Sequence, residues 1–111
     1  MRPSELPDHY FPSVRARDIE RFIALFAEDA VMVLPDGREV AGAPAIREME
    51  LAVFAASPPA PTPVAVIADE NSVAVEVEVR LPSGELMKVA NFFHLNGEGR
   101  IKRLSVYRKI R

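Results

Sequence analysis

Apolar residues recur every three or four positions between Asp18 and Phe26, then run together from Ala30 to Leu34. The first spacing places Ile19, Phe22, Ile23 and Phe26 on one side of a helix. Asp18 is its expected N-cap, since a carboxylate there can accept from an otherwise orphan backbone N–H. Glu28 and Asp29 are expected to face water where that helix ends. The run Ala30–Leu34 predicts a short buried strand, and Pro35-Asp36-Gly37 turns the chain out of it. A helix whose stripe needs cover, feeding a buried strand, predicts a sheet wrapped around helices.

The flanking patterns extend this picture. Ser4 or Asp8 would cap a first helix running to about Ala16, with Tyr10, Phe11 and Val14 on its inner face. Pro12 falls inside that segment, so the helix is expected to be short or kinked. Arg38–Gly42 predicts an extended link. Ala43-Pro44 opens a third helix to about Ala56, with Ile46, Met49, Glu50, Val53 and Phe54 on one face. Ser57–Pro63 holds four prolines and predicts a stiff connector, too short to separate domains. Val64–Ala68 reads as a strand. Val73–Leu81 alternates cleanly, with valines and Leu81 one way and Ala74, Glu76, Glu78 and Arg80 the other. Pro82-Ser83-Gly84 predicts a hairpin into Leu86–Leu95. There Met87, Val89, Asn91, Phe93 and Leu95 share one face, and Lys88, Ala90, Phe92 and His94 the other. Asn96-Gly97 signals another hairpin, and Ile101 to about Lys109 forms the last strand. Helices first and a hairpin-connected sheet afterwards is an α+β order.

Composition narrows the class more than the function. A chain of 111 residues is expected to form one domain, residues 1–111, and to bury roughly two thirds of its unfolded surface. With 49% hydrophobic and 27% charged residues it is not a disordered polymer. The net charge of −2 gives no overall field for nucleic acid or acidic membranes, and neither is an expected partner. The absence of cysteine rules out disulfide and thiolate chemistry. No apolar run nears the roughly 18 residues of a membrane span, and the first ten residues lack the apolar core of a signal peptide. A soluble cytoplasmic protein is the expectation. His9 and His94 are too few and too separated for a metal site, which wants about four closely spaced ligands. No metal or other cofactor is expected.

Four segments together resemble the NTF2-like superfamily, in particular its SnoaL-like and ketosteroid-isomerase-like branch. They are Tyr10 eight residues before Asp18, AEDAV leading into a strand and PDG, AGAPAIREM after that turn, and NFFHLNGEGRI before the last strand. The resemblance implies a cone-shaped fold, with three N-terminal helices packed in a curved, mostly antiparallel sheet. It also implies a homodimer through the outer sheet face, where Ala90, Phe92 and Tyr107 sit among charged neighbours.

The same resemblance assigns candidate roles. Tyr10 matches the donor tyrosine of the first helix in the isomerases. Asn91 stands where their second oxyanion donor, an aspartic acid, sits. Leu34 stands where their aspartate base would be, and a leucine cannot accept a proton, so isomerisation by that route is not expected. Tyr10 and Asn91 could hold a carbonyl or phenolate oxygen, or could be satisfied locally in the core. Glu50, placed near Tyr10 by the resemblance, either reaches water or an arginine at the stripe's edge, or is desolvated and serves as the base. The walls of an apolar pocket would come from Phe22, Phe26 and Leu34, and from Met49 and Val53 of the third helix. The sheet would add Phe93, Leu104 and Val106, and Arg108 on their face would reach the rim and favour an anion. The expected ligand is a small apolar molecule, a ketone or polyketide-like compound acted on by an isomerase, cyclase or dehydratase. The alternative is a non-catalytic dimeric binding or assembly module.

Overall fold

The alternation around Val73–Leu81 becomes a strand at the heart of one six-stranded sheet in the computed structural model, which describes residues 2–56 and 60–109. After a 3-10 turn at Pro3–Glu5, the order is α1 (Leu6–Arg15), α2 (Ile19–Ile23), β1 (Phe26–Val33), β2 (Glu39–Ala41), α3 (Ala43–Ala56), β3 (Ala60–Ala68), β4 (Ser72–Arg80), β5 (Leu86–Leu95) and β6 (Ile101–Arg108). The strands lie in the order β2-β1-β6-β5-β4-β3. Every neighbouring pair is antiparallel except β1 with β6, which is parallel. The result is the expected α+β cone, three helices packed in a curved, mostly antiparallel sheet.

The helices are held to the sheet by an apolar core that the strand alternation builds. Val73, Val75, Val77 and Val79 of β4 are all buried, as are Phe93 and Leu95 of β5 and Leu104 of β6. Against them pack Leu6, Tyr10, Phe11 and Val14 of α1, Phe22 of α2, and Ile46 and Phe54 of α3. Helix α1 runs through Pro12, and it is indeed short, at ten residues. Its end is tied to the sheet edge by Arg15, whose guanidinium donates to the Pro61 carbonyl at 2.9 Å.

Asp18 caps α2 as expected, its Oδ1 accepting from the Arg21 N–H at 3.2 Å. Asp18→Ala is expected to cost about 1 kcal/mol, read as a lower urea midpoint at unchanged slope. The stripe beyond it differs from the periodicity. Helix α2 stops at Ile23, and Phe26 begins β1, paired with Ile101 of β6. A residue four positions after Phe22 suits a helix stripe, but long-range pairing decides its state here. Glu28 and Asp29 do face water, though from an irregular stretch of β1, where pairing with β6 breaks between Phe26 and Val31.

Two further segments fold differently from their expected form. Residues 38–42, expected as a link, contain β2, which pairs with β1 through Val31–Ala41 and Val33–Glu39. The connector expected over 57–63 is partly strand: β3 already begins at Ala60, while Ser57–Pro59 lie outside the described residues. Pro61 and Pro63 are tolerated because β3 is an edge, where a missing N–H breaks no ladder.

Three turns share one build. In Leu34–Arg38, Leu81–Glu85 and Asn96–Arg100, the first residue donates to the fifth carbonyl and the fourth, a glycine, donates back to the first. This is a type I turn closed by a left-handed residue. In the last turn that residue is Gly99, at φ 80°, and not Gly97. Asn96 is used differently from an Asn-Gly turn: its side-chain oxygen accepts from the N–H groups of Glu98 and Arg100.

Candidate functional site

Three elements each place one buried polar side chain on the concave side of the sheet. On α1, Tyr10 lies one turn beyond Leu6 and one before Val14, so the helix carries it inward with them. Its ring meets Phe93 edge-on at 5.0 Å and Phe22 at 5.4 Å. On β5, Asn91 follows the alternation that also turns Phe93 inward, and it is registered between Val75 of β4 and Val106 of β6. On α3, Glu50 stands one turn after Ile46 and one before Phe54, both buried.

All three are 7 to 8% exposed, and none has a hydrogen-bond or ion-pair partner among the described residues. Asn91 Oδ1 is also sealed from water. Its strand neighbours are valines, which offer it nothing. Burial raises Glu50 from the ordinary 4.5 to about 7. Burial also holds the Tyr10 hydroxyl well above its usual range, and the charge of Glu50 raises it further. Phe93 touches Tyr10 and follows Asn91 by one step along the same face, so Asn91 belongs to the same neighbourhood. Glu50 is largely buried, at 8% exposure, and has no arginine partner among the described residues.

Burial grades along the concave face. On β6, Leu104 is buried, Val106 half-buried and Arg108 exposed. On β5, Phe93 and Asn91 are buried, while Val89 and Met87 are half-buried. Leu34 and Met49 are likewise half-buried and pack against the core, and Val53 is half-buried. Burial on this face thus falls from a closed floor toward a more exposed rim. Phe22, Phe93 and Leu104 have no exposed surface and Phe26 has 2%, so these four make up the floor. Met87 and Val89 join the rim without having been singled out by sequence. Their alternation with Asn91 was the available signal.

The arrangement can offer a ligand oxygen the Tyr10 O–H and the Asn91 amide, beside a carboxyl that exchanges its proton near neutrality. Among the described residues, no three His, Asp or Glu side chains gather as metal ligands would. Among the described residues, no helix is long and apolar enough to cross a membrane. His94 lies on the convex face, stacked on Phe92 at 5.0 Å and registered opposite Arg103.

The family model of the SnoaL-like domain matches residues 8–104. No functionally curated protein matches the sequence. Among solved structures, a proposed polyketide cyclase from Sinorhizobium meliloti is 26% identical, with a TM-score of 0.80, covering 92% of this chain and 93% of that one. A protein from Sphaerobacter thermophilus is 25% identical, with a TM-score of 0.82, over 100% of this chain and 99% of that one. A proposed ketosteroid isomerase from Kribbella flavida is 24% identical, with a TM-score of 0.84, over 98% of this chain and 78% of that one.

Proposed function

This chain belongs to the SnoaL-like domain family, related to isomerases and cyclases, and from that premise we propose that it binds a small apolar ketone or phenol on the concave face of its sheet. The ligand oxygen accepts from the Tyr10 hydroxyl and the Asn91 amide, and its apolar body rests on Leu34, Met49, Val53 and Val106. What supports this reading is the burial of three polar side chains, without protein partners among the described residues, on the concave side of one sheet. Each unpaired buried group costs about 1–3 kcal/mol. A ligand oxygen that accepts from the Tyr10 hydroxyl and the Asn91 Nδ2–H offsets part of that cost, while Asn91 Oδ1, itself an acceptor, stays unpaired; apolar walls with a few convergent polar groups are the usual design of a small-molecule site.

The reaction this supports is proton transfer next to a carbonyl. Glu50, ionised in about half the molecules near pH 7, takes a proton from the carbon beside the carbonyl. The electron pair moves onto the oxygen as an enolate, which Tyr10 and Asn91 stabilise by hydrogen bonds. Glu50 then returns the proton to carbon. Burial keeps Tyr10 protonated and able to donate at neutral pH. Glu50 replaces the base that the isomerases carry at the position of Leu34. The 26% likeness to the Sinorhizobium meliloti protein supports chemistry of the isomerase or cyclase kind.

A second reading, a binding module without chemistry, is favoured by Leu34 and by the aromatic floor of Phe22, Phe26 and Phe93. In either reading the chain pairs with a second copy through the convex face, where Ile67, Phe92 and Tyr107 are 76, 40 and 60% exposed.

Thermal-shift titration with 2-naphthol and aryl ketones tests the binding. The wild type is expected to gain stability with ligand. Asn91→Leu is expected to lose that gain while melting 2 to 5 °C higher when empty, because the sealed, unpaired oxygen is gone. No shift with any of these probes would end the proposal. Exchange of the α-hydrogen of a bound ketone with deuterated water, lost in Glu50→Gln, separates the enzyme from the binding module.

A further inference from the structure

We infer that the ligand carries an anionic group, a carboxylate in the simplest case, about 7 Å from the oxygen held at Tyr10 and Asn91, and that Arg108 binds it at the rim. This rests on the binding site proposed above and names its ligand class. The placement follows from strand register. Asn91 is opposite Val106, and Val89 is opposite Arg108, so both pairs occupy the concave face one step apart. Two residues of extended strand advance about 7 Å. Along that step the face changes from sealed to open, ending at an exposed guanidinium with no ion-pair partner among the described residues.

The surroundings fit an amphipathic anion. Arg108 borders a groove of about 410 Å³ whose apolar side is Leu81, Leu86 and Met87, and whose charged side is Lys88, Arg108 and Lys109 against Glu85 alone. Lys88 leans to the convex face, 3.9 Å from Glu78. Lys109 is held there by its backbone, donating to the Lys88 carbonyl at 3.0 Å. Arg108 is the cation whose register turns it toward the concave face, and a planar guanidinium suits two-pronged contact with a carboxylate. The chain as a whole is acidic, with a net charge of −2, so this local excess of positive charge does not follow from composition.

Two probes of one shape test the inference, 2-naphthol and 6-hydroxy-2-naphthoate, which adds a carboxylate at the far end from the hydroxyl. Binding to the full chain is measured by calorimetry at 20 mM and 200 mM salt. The hydroxynaphthoate is expected to bind about fivefold to tenfold more tightly at low salt, as an exposed charge pair allows. Arg108→Gln is expected to abolish that preference while leaving 2-naphthol affinity unchanged. Lys109→Gln is expected to keep it. Equal binding of the two probes, a preference that survives Arg108→Gln, or one lost equally in Lys109→Gln would overturn the inference and leave the pocket standing. Failure of both probes to bind would overturn the pocket and the inference together.

Discussion

Glu50→Gln is expected to stabilise the empty protein by roughly 3 kcal/mol at pH 8 and to leave it unchanged at pH 4. The residue is 8% exposed, and burial pushes its carboxyl up to about 7 in the fold against 4.5 when free. At about 1.4 kcal/mol per pH unit, that interval sets the size. The sign follows from proton binding. Between pH 4.5 and 7 the folded state holds a proton that the unfolded state has released, so wild-type stability falls as pH rises through this window. Below it Glu50 is neutral in both states, and above it the full cost of the buried charge is present. Glutamine never carries that charge, so its stability curve is flat where the wild type declines. Urea unfolding at pH 4, 6 and 8 reads the difference. Parallel curves for the two proteins would show that water or a counter-ion reaches the carboxylate, and Glu50 would then be no candidate for a base near neutrality. The same substitution should remove exchange activity, so a gain in stability and a loss of chemistry are expected from one atom change.

Phe22→Ala is expected to cost about 3–5 kcal/mol, the range for truncating a fully buried aromatic. Phe22 has no exposed surface, and its ring lies 5.0 Å from Phe26, 5.4 Å from Tyr10 and 6.3 Å from Phe54. It joins α1, α2, α3 and β1 at one point, so the cavity left behind cannot be closed by moving a single element. For a domain of this size the loss is a large part of the total stability. The check is the urea midpoint together with the unfolding slope. A cost below about 1 kcal/mol would mean that the helices repack freely, and the floor beneath Tyr10 and Asn91 would then be too soft to hold them in place.

What the sequence disclosed and what it withheld have separate physical causes. The long regular patterns were readable because each repeats one period many times. The alternation of β4 and β5 and the Ala43-Pro44 start of α3 are of this kind. Phe26 was misread because it suits a helix stripe and a buried strand equally, and pairing with Ile101 made the choice. Strand β2 was missed because three residues carry too little pattern, and the first part of β3, before Val64, because Pro61 and Pro63 look like breakers unless the strand is known to be an edge. In the candidate site, the inward direction of Tyr10, Glu50 and Asn91 could be read from periodicity and the family resemblance. That Glu50 is buried without a counter-ion could not, since it depends on which side chains stand opposite it in space.

The parallel pairing of β1 with β6 has a consequence for how the chain is made. Strand β1 is complete at Val33, yet its partner begins only at Ile101. On the ribosome, the aromatic side chains of α2 and β1 must therefore wait for Ile101–Arg108 to emerge before the sheet can close over them. Contacts this distant along the chain are slow to form, so the nascent protein passes through a long interval with Phe22 and Phe26 uncovered, the stage at which a chaperone would meet it.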